Sequence, residues 1–378
     1  MGKVSDPSGA LGKEGVMESK RGTFRSLFSV MEQRDDLPEM PLPLAILCIL
    51  ATALFGAVAA RLLSPAVEGD PFASQNVAGI FAALPFLPLS VMFYALTILL
   101  WRRMASLLAT PVTFGAMLLF GARFSDAFAL SLAILLISYV FAVSLIGKET
   151  RFRRMQSLTL AAAVSFGLCI FARVSLDFGS YTALVDAYME AVPAMIGRWY
   201  SAVFAAADIA IAESSLNEMA RELFVMLPAY FGMFCVIFAW AADCLIRRMF
   251  TILGCASIFT DESAGTTMPF IYAAVYAGVL LLTLFTPSSS MPLPHVMFKS
   301  VLLVMALPCS AVGVRKISDY LEDRLFYLTR EKLLAGMLLF FAFTILGMFP
   351  FILLTSAIGA ISIIKARFKG NGGETRLS

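Results

Sequence analysis

Apolar residues in this chain gather into long unbroken runs, separated by short polar or basic breaks. The runs lie at about 42–60, 77–101, 104–122, 125–147, 156–173, 223–246, 268–286 and 297–314. A helix needs about 20 apolar residues to cross a hydrocarbon layer about 30 Å thick. These continuous runs predict helices, since a membrane β-barrel would instead show alternating segments of about ten residues.

The last apolar stretch is longer than one span. No residue between Lys332 and Lys365 carries a charge. As a single helix, residues 333–364 would reach about 48 Å at 1.5 Å per residue, more than tilt absorbs comfortably. Gly347 and Pro350 sit near the middle, and proline both removes a backbone donor and crowds the preceding turn. The stretch therefore predicts a hairpin of two short spans breaking near "GMFP". With it the chain has about ten spans.

Charge gives these spans a direction. Lys3, Lys13, Lys20, Arg21, Arg25 and Arg34 precede the first span; Arg102 and Arg103 follow the second; Lys148, Arg151, Arg153 and Arg154 follow the fourth; Arg247 and Arg248 follow the sixth; Arg315 and Lys316 follow the eighth. Alternating crossings put every one of these clusters on the same side, which the positive-inside rule makes cytoplasmic. Both termini then lie inside. Residues 1–40 read as a cytoplasmic tail, with Phe24, Leu27, Phe28 and Met31 at the spacing of a short surface helix or else part of a disordered segment. About forty polar residues precede the first apolar run, so no cleavable signal peptide is expected.

The segment 175–222 falls outside on this reading. It carries Asp177, Asp186, Glu190, Asp208, Glu213, Glu218 and Glu222 against Arg198 and Arg221. Its apolar residues recur at helical spacing, which predicts one or two amphipathic helices against the outer face; a pair of weakly hydrophobic spans is the alternative. The expected organisation is a tail at 1–40, a first helix group at 41–174, the outside segment at 175–222, a second group at 223–369 ending in the proline hairpin, and a cytoplasmic tail at 370–378. The fold class is an all-α polytopic membrane protein of a bacterial plasma membrane.

Composition sharpens the picture by exclusion. Of 378 residues, 60% are hydrophobic and 15% charged, with net charge +3; soluble domains sit nearer 45–50% and about 25%. The single histidine, His295, leaves no HExxH zinc motif and no buried Ser-His-Asp triad. No GxxxxGK[ST] loop occurs, and the six cysteines form no CxxC pair. Neither a catalytic centre, a cofactor, a metal site nor nucleic-acid binding is expected.

Few ionisable residues enter the spans, where such groups are costly and often functional. Asp243 lies one turn before Arg247 and one turn after Trp240. It reads either as an i,i+4 ion pair or as a polar group in a site between helices. Arg173 and Asp177 end the fifth span, either as an interfacial pair or as one edge of a binding site. That site would be roofed by the outside helices, with Trp199 and Tyr200 as an apolar lid and with Pro228 breaking the next span. Small residues at four-residue spacing (Thr52, Gly56 and Ala60; Ala105 and Ala109; Thr355 and Gly359) permit close helix packing or docking of another membrane protein. Residues 315–332 form an amphipathic pattern, with Ile317, Leu321, Leu325 and Leu328 as the stripe of a surface linker or of a coupling helix.

Three features in order resemble the YybS-like family of bacterial multispanning membrane proteins: "LFVMLPAYFGMFCVIFAWAADCLIRRMF", then "FKSVLLVMALPCSAVGVRKISDYLEDR", then "FPFILLTSAIGAISIIKARFK". The resemblance implies an architecture and, more loosely, a likeness to the membrane-embedded substrate-binding subunits of energy-coupling-factor transporters. The expected function is a non-enzymatic small-molecule binding or transport component, whose partners would be the lipid bilayer, a membrane coupling subunit and an ATPase. A structural or envelope-assembly protein working with division or sporulation machinery is the alternative.

Overall fold

The computed structural model describes residues 41–64, 74–101, 107–147, 149–204, 213–253, 268–286, 292–324 and 348–374. These residues form eleven helices in chain order: α1 Leu42–Leu63, α2 Ser74–Ala83, α3 Phe86–Trp101, α4 Ala109–Leu119, α5 Phe124–Ile146, α6 Arg151–Asp177, α7 Tyr181–Phe204, α8 Glu213–Ile252, α9 Phe270–Phe285, α10 Pro292–Arg324 and α11 Met348–Glu374. No strand occurs among the described residues.

Seven helical stretches are long and apolar enough to cross a membrane: Leu42–Leu63, Ala78–Leu99, Phe124–Ile146, Arg151–Asp177, Glu213–Ile252, Pro294–Tyr320 and Pro350–Phe368. Apolar side chains also face outward in stripes. On α6, Leu160, Val164, Leu168 and Phe171 recur along one face and are 67, 48, 62 and 70% exposed. Such a stripe is foreign to a water-facing helix and natural against lipid. The chain is an all-helical, membrane-embedded protein. Two of the expected spans are shorter helices: α4 covers 11 residues, about 16 Å at 1.5 Å per residue, and α9 covers 16. Neither reaches the seven by length.

Two cores flank one shared helix. The first is built from α1, α3, α4, α5 and α6, around Tyr94, Ile134, Ile137, Phe141 and Leu158. The second is built from α9, α10 and α11, around Tyr276, Leu302, Leu303, Ala306 and Ile352. α8 enters both. Its Cys235, Phe238, Ala239, Ala242 and Ile246 belong to the first core, while its Met226, Ala229 and Met233 belong to the second. The expected boundary at 223 falls inside α8, whose later residues contribute to both cores.

Close contacts explain the small residues. A Cβ on Gly56 would meet Thr113 Cγ2 at 2.9 Å and Met117 Cε at 3.1 Å, so α1 lies tight against α4. On α10 and α11 the approach is backbone to backbone: a Cβ on Gly313 would strike the Thr355 carbonyl, and one on Gly359 the Cys309 carbonyl. Ser310 and Thr355 hydroxyls meet there at 2.6 Å, and Thr355 donates to the Phe351 carbonyl at 2.7 Å. These small residues serve packing inside the protein; Ala105 lies outside the described residues. Gly121 takes φ +84° just after α4. There the Gly121 N–H bonds the Leu118 carbonyl and the Ala122 N–H the Met117 carbonyl, each at 3.0 Å. This is the helix-ending pattern that needs the left-handed conformation glycine adopts without strain.

Pro228 lies inside the 40-residue α8, which runs helical through it. The expected break at Pro228 is absent, because the helix packs on both sides of the site and supplies the stability that the one lost backbone bond removes. Pro350 lies in α11, whose described residues begin at Met348. The other limb of the expected hairpin, and Leu325 and Leu328, lie outside the described residues. Residues 315–324 continue α10 without a break.

Helix directions follow from paired contacts. His295 Nδ1 lies 2.8 Å from the Thr286 carbonyl, and Tyr272 donates to the Met305 carbonyl, so α9 and α10 are antiparallel. Tyr276 pairs with Ser356 and Phe270 with Phe368, so α9 and α11 are antiparallel too. α10 and α11 therefore run in the same direction, and the last residue of α10 and the first of α11 lie at opposite ends of the bundle.

α7 pairs with the start of α8. Tyr188 packs on Phe224 with ring centroids 4.9 Å apart, and Gly197 faces Leu216. Tyr188, Val192, Ile196 and Ala220 are the buried centre of this hairpin. It is an amphipathic pair carried on an extension of α8, with Glu213, Asn217, Glu218, Arg221 and Glu222 exposed.

Candidate functional site

The most buried charge in the described structure is a cluster where α6 begins and α8 ends its span. Thr150 caps α6, accepting from the Arg153 N–H at 3.4 Å. Arg151 and Arg154, three residues apart, then share one helical face. Both reach Asp243 on α8. Arg154 Nε donates to Oδ1 at 2.9 Å, and Arg151 Nε donates to Oδ2 at 2.9 Å. Arg247, one turn along α8, donates through its own Nε to Oδ2 at 2.9 Å. Asp243 is fully buried and the Arg154 side chain only 2% exposed. Arg154 also donates to the Glu149 carbonyl at 3.2 Å.

The physics of this placement is unusual. Cations in the first turn of a helix face its positive end and are disfavoured by about 0.3–1 kcal/mol each. Here Asp243 sits among them and takes charge-assisted bonds on both oxygens, which such a site needs if a buried carboxylate is to stay ionised. Phe152, between the two arginines in sequence, turns toward the second core and meets Tyr272 edge to face at 5.3 Å. Two consecutive residues of α6 thus turn to different neighbours, Arg151 to α8 and Phe152 to α9.

A second polar network closes the other end of α6. Arg173 donates through Nη1 to the Leu63 carbonyl at 2.9 Å, one of the last carbonyls of α1, which have no partner within their own helix. Arg173 also pairs with Asp177 at 3.3 Å and with Asp126 at 3.7 Å, and Arg123 pairs with Asp177 at 3.4 Å. Asp126 lies in the first turn of α5, where the helix dipole favours an anion. The network ties the ends of α1, α5 and α6 together.

Of the residues singled out from sequence, Arg173 and Asp177 therefore meet, as part of a four-residue ion network. Asp243 stands at the far end of the bundle, since Arg151 and Arg173 are about 33 Å apart along α6 at 1.5 Å per residue. Asp243 does not share a site with them. Trp199 and Tyr200 fall on the backbone of α7, and their side chains lie outside the described residues. The buried face of α7 packs on the α8 extension. Trp240 is 50% exposed and stays out of the Asp243 cluster.

Arg151 and Arg154 are the partners that sequence reading missed. They looked like ordinary cytoplasmic charges beside a span. One signal was available: three arginines within four residues open α6 at the end where cations are disfavoured. Among the described residues no three His, Cys, Asp or Glu side chains are grouped to hold a metal ion. Cys48, Cys169, Cys235, Cys244 and Cys309 are free thiols. No family model, no curated protein and no solved structure matches the chain.

Proposed function

We propose that this chain is a non-enzymatic binding or transport component of a bacterial plasma membrane, acting on a small molecule and resembling the substrate-binding subunits of energy-coupling-factor transporters. The observation that carries this reading is the sharing of α8 between two cores, each of which contains an apolar helix too short to span alone. α4 has 11 residues and α9 has 16. Short or interrupted helices in two packed groups are where transporters place substrate between moving parts. The interrupted stretch Ala78–Leu99, with its turn at Leu84 and Pro85, adds a third such element. The YybS-like resemblance is part of the same proposal.

The Asp243 end is cytoplasmic in this reading. Arg151, Arg153, Arg154, Arg247, Arg248, Arg315, Lys316, Lys365 and Arg367 all belong to that end, and basic residues are retained on the cytoplasmic side. Cysteines introduced at Asp70, Ala205 and Ser290 react with an impermeant maleimide added outside intact cells, and those at Thr150, Leu325 and Gly372 do not. Outside labelling at Gly372 would reverse the assignment of the C-terminus.

The function itself is tested on purified full-length protein. A thermal-shift screen of small metabolites, read beside copurification from native membranes, yields a stabilising compound or a coupling ATPase, because a ligand that prefers the folded state raises apparent stability. Recovery of neither sinks the proposal. A scaffold role in envelope assembly has one observation in its favour, the charged hairpin of α7 and α8 beyond the bundle. Neutralising Asp186, Glu190, Glu218 and Glu222 together then disperses the protein's localisation without changing the thermal-shift result.

A further inference from the structure

We propose that the outer side of the Asp243 cluster is a binding site for an anionic phospholipid, with its phosphate on Arg151 and Arg248 and an acyl chain along Trp240 and Ile237. Arg151 spends one nitrogen on Asp243, and its Nη2 meets only the Cys244 sulfur at 3.7 Å, a weak acceptor. Its Nη1 has no hydrogen bond to a described residue, and 27% of the side chain is exposed. The guanidinium is therefore anchored on one edge and open on the other. A fixed, planar donor of this kind suits a phosphate.

Arg248 borders the same opening. It lies four residues after Cys244, on the helical face that Arg151 touches, and it is exposed with no ion pair among the described residues. The two segments Glu149–Arg154 and Asp243–Arg248 contain five arginines (151, 153, 154, 247, 248) and two carboxylates (Glu149, Asp243), an excess of three positive charges by 5 − 2. The N-terminus of α6 points its own positive end into this region.

The same face of α8 explains why the phosphate belongs to a lipid. Ile237, Trp240, Cys244 and Arg248 follow one another at spacings of three and four, so they form one stripe. Ile237 is 48% and Trp240 50% exposed. Read from mid-helix toward its end, the stripe runs from aliphatic to aromatic to cationic. That is the polarity gradient of a phospholipid lying beside a helix, with the aromatic at the headgroup boundary. A free phosphate would have no use for the apolar part. Basic pockets between helices at one membrane face select anionic headgroups on these terms.

The test uses Trp240 as a reporter. The full-length protein is reconstituted in phosphatidylcholine vesicles containing a minor fraction of either brominated phosphatidylglycerol or brominated phosphatidylcholine. Trp240 quenching is taken as the difference between the parent and a Trp240→Phe protein. Brominated phosphatidylglycerol should quench more strongly at equal mole fraction, corresponding to about fivefold preference per guanidinium. Arg248→Gln should lower that preference, and Arg151→Gln with Arg248→Gln should bring the ratio to one. Lys365→Gln with Arg367→Gln, which removes two charges at the same end on α11, should leave it unchanged. If Arg151→Gln fails to reconstitute, Arg248→Gln alone decides. A parent ratio of one, or a ratio that Arg248→Gln leaves intact, overturns the proposal. Loss of preference on adding inorganic phosphate, at chloride-matched ionic strength, would assign the arginines to free phosphate and overturn the lipid assignment.

Discussion

At one end of α6 a single carboxylate, fully buried, is held by three guanidiniums at 2.9 Å. At the other end two carboxylates and two guanidiniums meet at 3.3 to 3.7 Å, with between 20 and 45% of each side chain exposed. The same residue types serve both networks, and α6 belongs to both. The difference lies in what surrounds them. Asp243 and Arg154 have exchanged water for their partners, so each depends on them, while Arg151 and Arg247 keep an exposed edge. Around Asp177 every side chain keeps part of its surface exposed. Charge pairs of the first kind are costly to break, and those of the second kind contribute about 0–1 kcal/mol.

Substitution at the buried end should have the largest effect. Asp243→Ala leaves Arg154 buried without its carboxylate and should cost about 3–5 kcal/mol. Thermal unfolding of the purified protein in detergent, followed by circular dichroism, reads this loss. An unchanged transition would mean that the cluster is solvated and that the contrast is not real. Arg173→Ala comes next, at about 1–2 kcal/mol, mainly because the Leu63 carbonyl loses a charged donor. Asp177→Ala should be smallest, below about 1 kcal/mol, and its effect should shrink further as salt rises, since exposed charges are screened. Salt should leave the Asp243→Ala effect nearly unchanged. If added salt reduced both effects alike, the two ends would be equivalent and the comparison would collapse.

Both cores join their helices by apolar and by polar means. The first core packs large rings, such as Phe166 against Phe238 at 5.2 Å, and also holds the hydroxyl pair Tyr94 and Thr110 at 2.6 Å. The second relies on backbone proximity at Gly313 and Gly359 and on the buried hydroxyl pair Tyr276 and Ser356 at 2.6 Å. Where hydrocarbon solvates both sides of a helix, burial of apolar surface gives little drive, and close approach with hydrogen bonding takes its place.

Much of this protein was determined by the sequence alone. Uninterrupted apolar runs fix helices across a membrane, because no other unclosed backbone satisfies its hydrogen bonds there. The four-residue spacing of Thr355 and Gly359 marks a close packing face. Other features depend on tertiary structure. Nothing local assigns α8 to two cores, since both of its buried faces are apolar and a linear pattern does not say which neighbour covers which. Pro228 looks like a break until packing on either side holds the helix through it. Asp243 shows Arg247 in its own helix, but the arginines that complete its shell lie about ninety positions away, at 151 and 154. Sequence reveals that a charge is costly in a membrane; only the folded chain decides which distant charge answers it, because that pairing is set by the distance between helices and not by spacing along one.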